Sequence, residues 1–242
     1  MRARIVLGIA FITVLWSLTG VNAASATPMG TLALVNCGGG GLTITNTSIT
    51  WLPNGTIAGT GCADTAPLTN ITWSGGTVGA GATANIRNIT AGGGPLDHFI
   101  DILGAAPVLD FTLDLLGPAA PTNGTACAGL TAGQSCVPAT GSPILLVDDG
   151  ANTIFKLRAS GVVTDGVAPG SEWGGVFMSE LNMTPVQFQT VLLGGGSLTF
   201  TYSGTFSIPE STAVPEPMSL ALLGTGLVGM GARRWRNRRQ RG

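Results

Sequence analysis

The sequence predicts an all-β protein: an antiparallel β-sandwich or jelly-roll-like body with one short helix, an N-terminal signal peptide and a C-terminal transmembrane helix. Three observations carry this. Apolar and polar residues alternate over short runs, as in Leu198-Thr199-Phe200-Thr201-Tyr202, which is the period of a half-buried strand. Gly, Pro and Asn cluster between those runs, and Gly alone accounts for 38 of 242 residues. The two ends differ from everything between them, because each joins an apolar run to arginines.

At the N-terminus, Arg2 and Arg4 precede an apolar stretch from Ile5 to Leu18, followed by the small residues Ala23, Ala24 and Ala26. This order defines a secretory signal peptide over 1–26, with cleavage after Ala23 or Ala26. An uncleaved anchor is the alternative. The exported body then covers 27–213.

Within the body, strands are predicted at 31–36, 42–45, 67–73, 83–90, 97–103, 111–115, 143–147, 155–159 and 172–178. Parity changes before Ile49 and Trp51, which marks a bend. Leu198, Phe200, Tyr202, Phe206 and Ile208 share one parity, and Gly204 reads as a bulge in that strand. Short strands separated by turn residues favour a sandwich. One helix is expected after Thr184, with Pro185 at its first position and Gln187 completing a capping box. Phe188, Val191 and Leu192 share its face, and Gly194-Gly195-Gly196 ends it.

The charges are segregated. The body holds only Arg87, Lys156 and Arg158 against eleven acids from Asp64 to Glu210, a balance of −8. An acidic body disfavours nucleic-acid binding, which needs a basic face.

The chain closes with Val214-Pro215-Glu216-Pro217, the uncharged run Met218–Ala232, and Arg233, Arg234, Arg236, Arg238, Arg239 and Arg241. As a helix the run would be about 22 Å long, short of the roughly 30 Å hydrocarbon core. The arginines supply a stop-transfer charge that holds their end in the cytoplasm. Gly224-Thr225-Gly226-Leu227-Val228-Gly229 spells G-x-G-x-x-G. It lacks the βαβ context and the acidic residue that a dinucleotide site requires, so small residues in a membrane-seeking helix explain it.

Residues 214–242 resemble the PEP-CTERM sorting signal of Gram-negative bacteria in order, spacing and terminal position. The resemblance implies recognition of Val214, Pro215, Glu216 and Pro217 by a membrane-embedded cysteine peptidase, exosortase. It also implies transient retention in the inner membrane, then sorting to the cell surface or secretion into the extracellular matrix. Such proteins tend to occur where exopolysaccharide is made, which suggests a biofilm context. An ordinary C-terminal anchor is the alternative. The stretch from Trp173 to Phe206 resembles the final portion of a group of PEP-CTERM passenger domains, which are expected to be β-rich and have no assigned activity.

Four cysteines in an exported chain read as two disulfides with three possible pairings. Proximity in sequence favours Cys37–Cys62 and Cys127–Cys136. No C-x-x-C spacing supports a zinc site instead, and no metal or cofactor is expected.

Candidate sites are few. His98 is the single histidine and would act as a base oriented by Asp97 or Asp101; a surface or edge-strand position is the plainer reading. No G-x-S-x-G elbow accompanies it. Asp110 and Asp114 share a strand face about 13 Å apart at roughly 3.3 Å per residue, too far for a glycosidase pair, although each could meet an acid on another strand. Asp148-Asp149-Gly150-Ala151-Asn152 could offer oxygens to Ca²⁺ or form a hairpin turn. Trp51, Trp73 and Trp173 are a candidate sugar-stacking platform or core residues. Six N-x-S/T sequons, at Asn46, Asn54, Asn70, Asn88, Asn123 and Asn182, mark exposed turns. The expected function is a non-enzymatic structural or adhesive role, with exopolysaccharide as a candidate partner. A carbohydrate-binding module and a secreted hydrolase are the alternatives.

Overall fold

The computed structural model describes residues 27–90, 95–117, 120–167 and 169–210. The expected signal peptide and C-terminal helix lie outside the described residues, among which no helix is long and apolar enough to cross a membrane.

Sixteen strands and one helix are described. In chain order they are β1 (Met29–Asn36), β2 (Gly41–Ile44), β3 (Ser48–Leu52), β4 (Thr60–Thr65), β5 (Asn70–Trp73), β6 (Gly76–Val78), β7 (Thr83–Arg87) and β8 (Ile89–Thr90). Then come β9 (Leu96–Ile102), β10 (Asp110–Leu116), β11 (Ser135–Cys136), β12 (Ile144–Asp148), β13 (Thr153–Thr164) and β14 (Ser171–Leu181). Helix α1 (Pro185–Leu193), β15 (Leu198–Phe200) and β16 (Ser203–Ile208) complete the body.

The larger sheet runs β10-β9-β7-β4-β1-β16-β14-β13, and β10 also pairs with β13. Eight antiparallel strands therefore close into a barrel. The β-rich, one-helix body is as the sequence predicts. Its arrangement differs from the expected sandwich or jelly roll, because the first sheet pairs with itself. The reason lies in β13, whose twelve residues serve two neighbours on one edge. Its first half pairs with β12 and its second half with β10. Likewise β1 pairs with β5 at its start and with β4 at its end. Closure removes the exposed edges that an open sheet would carry.

Large and small side chains alternate around the inner face. Phe177 pairs across to Gly204, Phe206 to Gly175, and Trp173 to Gly161. A Cβ on Gly204 would lie 2.8 Å from ring carbons of both Phe177 and Phe206. A Cβ on Gly175 would fall on the Thr205 carbonyl oxygen. Glycine makes room there for the rings of Phe177 and Phe206, whose centroids are 4.8 Å apart. Gly204 is thus no bulge, being in register with both Leu34 and Phe177. The interruption falls at Thr201 and Tyr202, where the chain leaves one sheet for the other.

That second sheet runs β15-β2-β3-β8. It contributes Trp51, which contacts Phe177 at 4.5 Å and Tyr202 at 5.0 Å between ring centroids. The predicted parity change before Ile49 is the tight turn between β2 and β3, tied by Thr45 and Ser48. Helix α1 starts in the expected capping box: the Gln187 side chain accepts from the Thr184 N–H at 2.8 Å, and the Thr184 hydroxyl accepts in return. Its Phe188 packs on Phe155 and Phe200 beside the barrel core.

Candidate functional site

Disulfides tie two places. Cys37, just beyond β1, joins Cys62 on β4, with Cα atoms 5.7 Å apart. Cys127 joins Cys136 on β11 at a Cα distance of 5.2 Å. No described cysteine is left free. The second bond closes the irregular segment after β10. The Gln189 amide of α1 also holds that segment, donating to the Thr125 and Pro138 carbonyls at 3.0 Å each.

The sugar platform is corrected by burial. Trp51, Trp73 and Trp173 are 0%, 5% and 2% exposed, so none presents an open ring face. The indole N–H of Trp51 donates to the Arg87 carbonyl and that of Trp173 to the Thr112 carbonyl. These rings build the core, the usual fate of a large aromatic side chain at an inward strand position.

The Asp148–Asn152 segment is the hairpin between β12 and β13. Asp148 Oδ1 accepts from the Gly150 N–H at 2.7 Å, and the Asn152 amide donates to Glu180 at 2.6 Å. The Asp148 side chain therefore serves the turn, and that of Asn152 ties it to β14.

The described residues bring together one polar constellation that the sequence only half reveals. Asp101 on β9 stands directly across from Asp110 on β10. Between Phe111 and Leu113 the register with β9 slips, so the β9 segment carrying His98 bulges from the ladder. His98 has φ +53°, the single described non-glycine residue with a positive value. Its N–H donates to Asp110 Oδ1 at 3.1 Å. Its Nδ1 lies 3.3 Å from both Asp101 Oδ1 and Asp110 Oδ1. The imidazole is 62% exposed, whereas the two carboxylates are 13% and 24% exposed. Burial raises the Asp101 pKa; His98 pulls it down, Asp110 pushes it up, and Arg87 pulls it down. Asp97 plays no part through its side chain here, but its carbonyl accepts from Arg87 at 2.8 Å. Asp114 sits at a second irregularity of β10, skipped by its register with β13, and is exposed.

A groove of about 430 Å³ lies elsewhere, between the β2–β3 turn, β8, the 138–143 loop and the end of α1. Thr45, Thr47, Ser48, Thr140 and Ser142 supply hydroxyls, while Ile49, Ile89, Leu116 and Leu192 supply apolar surface. None of its described lining residues is charged, so it suits a neutral ligand better than an ionic one.

A disulfide-tied, charge-poor β-barrel body is the build of a protein made for an oxidising compartment. Residues 213–239 match the family model of the PEP-CTERM protein-sorting motif. The chain therefore carries the sorting signal of a PEP-CTERM protein, which implies export and sorting by exosortase, with membrane transit on the way. No curated protein and no solved structure matches the chain. The motif residues Val214, Pro215, Glu216 and Pro217, and the stop-transfer arginines Arg233, Arg234, Arg236, Arg238 and Arg239, lie outside the described residues.

Proposed function

We propose that this chain is a non-catalytic structural or adhesive protein of a Gram-negative cell surface or exopolysaccharide matrix. The observation that carries the reading is the sorting motif at 213–239 attached to a disulfide-tied barrel. All four thiols are consumed in disulfides, which leaves none as a nucleophile. The single imidazole turns its Nδ1 onto two carboxylates rather than onto a hydroxyl. Chain topology supports mechanical service as well, because a closed barrel offers no long free edge to peel.

The test is fractionation of the producing bacterium with and without its exosortase, followed by mass spectrometry and matrix cohesion measurements on a deletion strain. Surface or matrix location, loss of Arg233–Gly242 in the mature form, and a weakened matrix in the deletion strain are expected. A protein that stays in the inner membrane with its arginines intact would overturn the sorting reading. An unchanged matrix would overturn the structural one.

A carbohydrate-binding role is the second reading, and the uncharged, hydroxyl-rimmed groove favours it. A glycan array would then show saturable binding that Thr47→Arg or Thr140→Arg blocks, while an array without hits would remove it.

A further inference from the structure

We propose that His98, Asp101 and Asp110 form a site for a divalent transition-metal cation of the Zn²⁺ type, held on the outside of the β9–β10 hairpin. The proposal is independent of whether the protein is structural or glycan-binding.

Four observations converge. Asp101 and Asp110 occupy directly opposed positions on adjacent strands. Two carboxylates so placed repel, and such pairs destabilise a sheet unless something lies between them. The positive φ of His98 is a conformation that costs a side-chain-bearing residue free energy. The bulge that imposes it swings the ring to face both acids. The Nδ1 atom stands 3.3 Å from each Oδ1. One nitrogen carries at most one proton, so it cannot make a good hydrogen bond to both at that length. The same spacing suits ligands of one ion. With metal–ligand bonds of about 2.1 Å, neighbouring donors stand roughly 3.0–3.4 Å apart in octahedral or tetrahedral geometry. Finally, the nearby guanidinium of Arg87 is engaged with the Asp97 carbonyl rather than bonded to either acid.

The donor set fixes the class of cation. One imidazole nitrogen with two carboxylate oxygens suits Zn²⁺ or Mn²⁺, whereas Ca²⁺ and Mg²⁺ prefer all-oxygen cages. Two carboxylates neutralise the charge of a divalent ion. The exposed ring leaves the remaining positions to water, so the ion need not shed its whole shell. The other close group of potential ligands, Cys37, Cys62 and Asp64, is not equivalent, because its two sulfurs are bonded to each other.

The experiment uses the full chain, stripped with a chelator and titrated with Zn²⁺ by calorimetry and by NMR of the imidazole. Because the chain holds one histidine, the ring resonances need no assignment. One Zn²⁺ per chain is expected, with the ring shifted in the pattern of Nδ1 coordination. His98→Ala and Asp110→Asn should each weaken binding by at least the about 10- to 100-fold typical of losing an outer-shell partner. Asp114→Asn, on the same strand, should not change it. Asp110→Asn retains an oxygen for the His98 N–H, so its metal-free form should melt no lower than wild type. An imidazole signal unmoved by Zn²⁺, or affinity unchanged in Asp110→Asn, overturns the proposal. The wild-type ring measurement decides the matter even if a variant fails to fold.

Discussion

Replacing Gly204 by alanine tests how the barrel core is packed. The site lies on β16 between Leu34 and Phe177, and its φ is outside the left-handed region, so alanine meets no backbone strain. Ordinarily such a change stabilises a strand by about 0.4–1 kcal/mol, through the unfolded chain. Here the new methyl would lie 2.8 Å from Phe177 Cδ1 and 2.8 Å from Phe206 Cε2. Carbon atoms prefer roughly 3.5–4.0 Å. Both rings are fully buried and pinned by other rings, so neither can yield freely. Overpacking of this kind costs about 1–3 kcal/mol. The net expectation is a loss of about 1–2 kcal/mol. Gly174 on β14 supplies the control, since its Cβ would meet nothing nearer than Ser160 Cβ at 3.8 Å. Gly174→Ala should be neutral or stabilising by up to about 1 kcal/mol. Urea unfolding with unchanged m-values reads the difference. Adding Phe177→Leu to Gly204→Ala should cost less than the two changes summed, by about 1 kcal/mol, as expected for side chains in contact. Equal stabilities of the two alanine variants, or a Gly204→Ala protein more stable than wild type, would refute the packing argument.

Tyr202 is the single tyrosine, is 4% exposed, and has its pKa raised well above 10.0 by burial and then by the charge of Asp64. Its folded-state pKa exceeds the unfolded one, so its contribution is complete below about pH 10 and is lost as pH climbs beyond. Absorbance at alkaline pH should therefore show tyrosinate only together with loss of the near-ultraviolet circular dichroism; reversible ionisation of the folded protein near pH 10 would contradict this. Removing the Cys127–Cys136 bond with paired serines should destabilise by about 2–3 kcal/mol on the loop-entropy estimate, and a loss under 0.5 kcal/mol (roughly the noise of ordinary surface changes) would show that the segment is held by other means. Thr184→Ala removes one half of the capping box and should cost about 1 kcal/mol in urea unfolding, whereas Thr184→Ser should restore most of it.

Much of this body is legible in its residues, and the illegible parts share a cause. Alternation marks β13, β14 and β16 because their inward residues are large: Phe155 and Leu157, Trp173 and Phe177, Phe206 and Ile208. The capping box announces α1 by local chemistry alone. β4 escapes the same reading, since its inward residues are Gly61, Ala63 and Thr65. At Gly61 a Cβ would run into the backbone of Trp51 on β3, a close approach that only the folded chain creates. Barrel closure is hidden for the same reason: nothing local in Asp110–Leu116 says that it will pair with Thr164–Ala159. Among the candidate residues, the sequence leaves open that Asp110 or Asp114 meets an acid on another strand, without revealing that Asp110 faces Asp101. That meeting depends on hairpin register and on a bulge, which are set by backbone geometry. Trp51 and Trp73, set in strand patterns, read more readily as core than as a platform, and burial bears out the core reading for all three tryptophans.

The pairing of β1 with β16 joins residues 30–35 to residues 203–208, almost the full span of the body. A chain threaded outward from its N-terminus cannot form that seam until nearly all of it has crossed. The last stave of the barrel and the Pro-Glu-Pro element at 215–217 emerge within about ten residues of each other. The seam can therefore close only once the segment adjoining residues 213–239, the stretch that matches the sorting motif, has itself emerged.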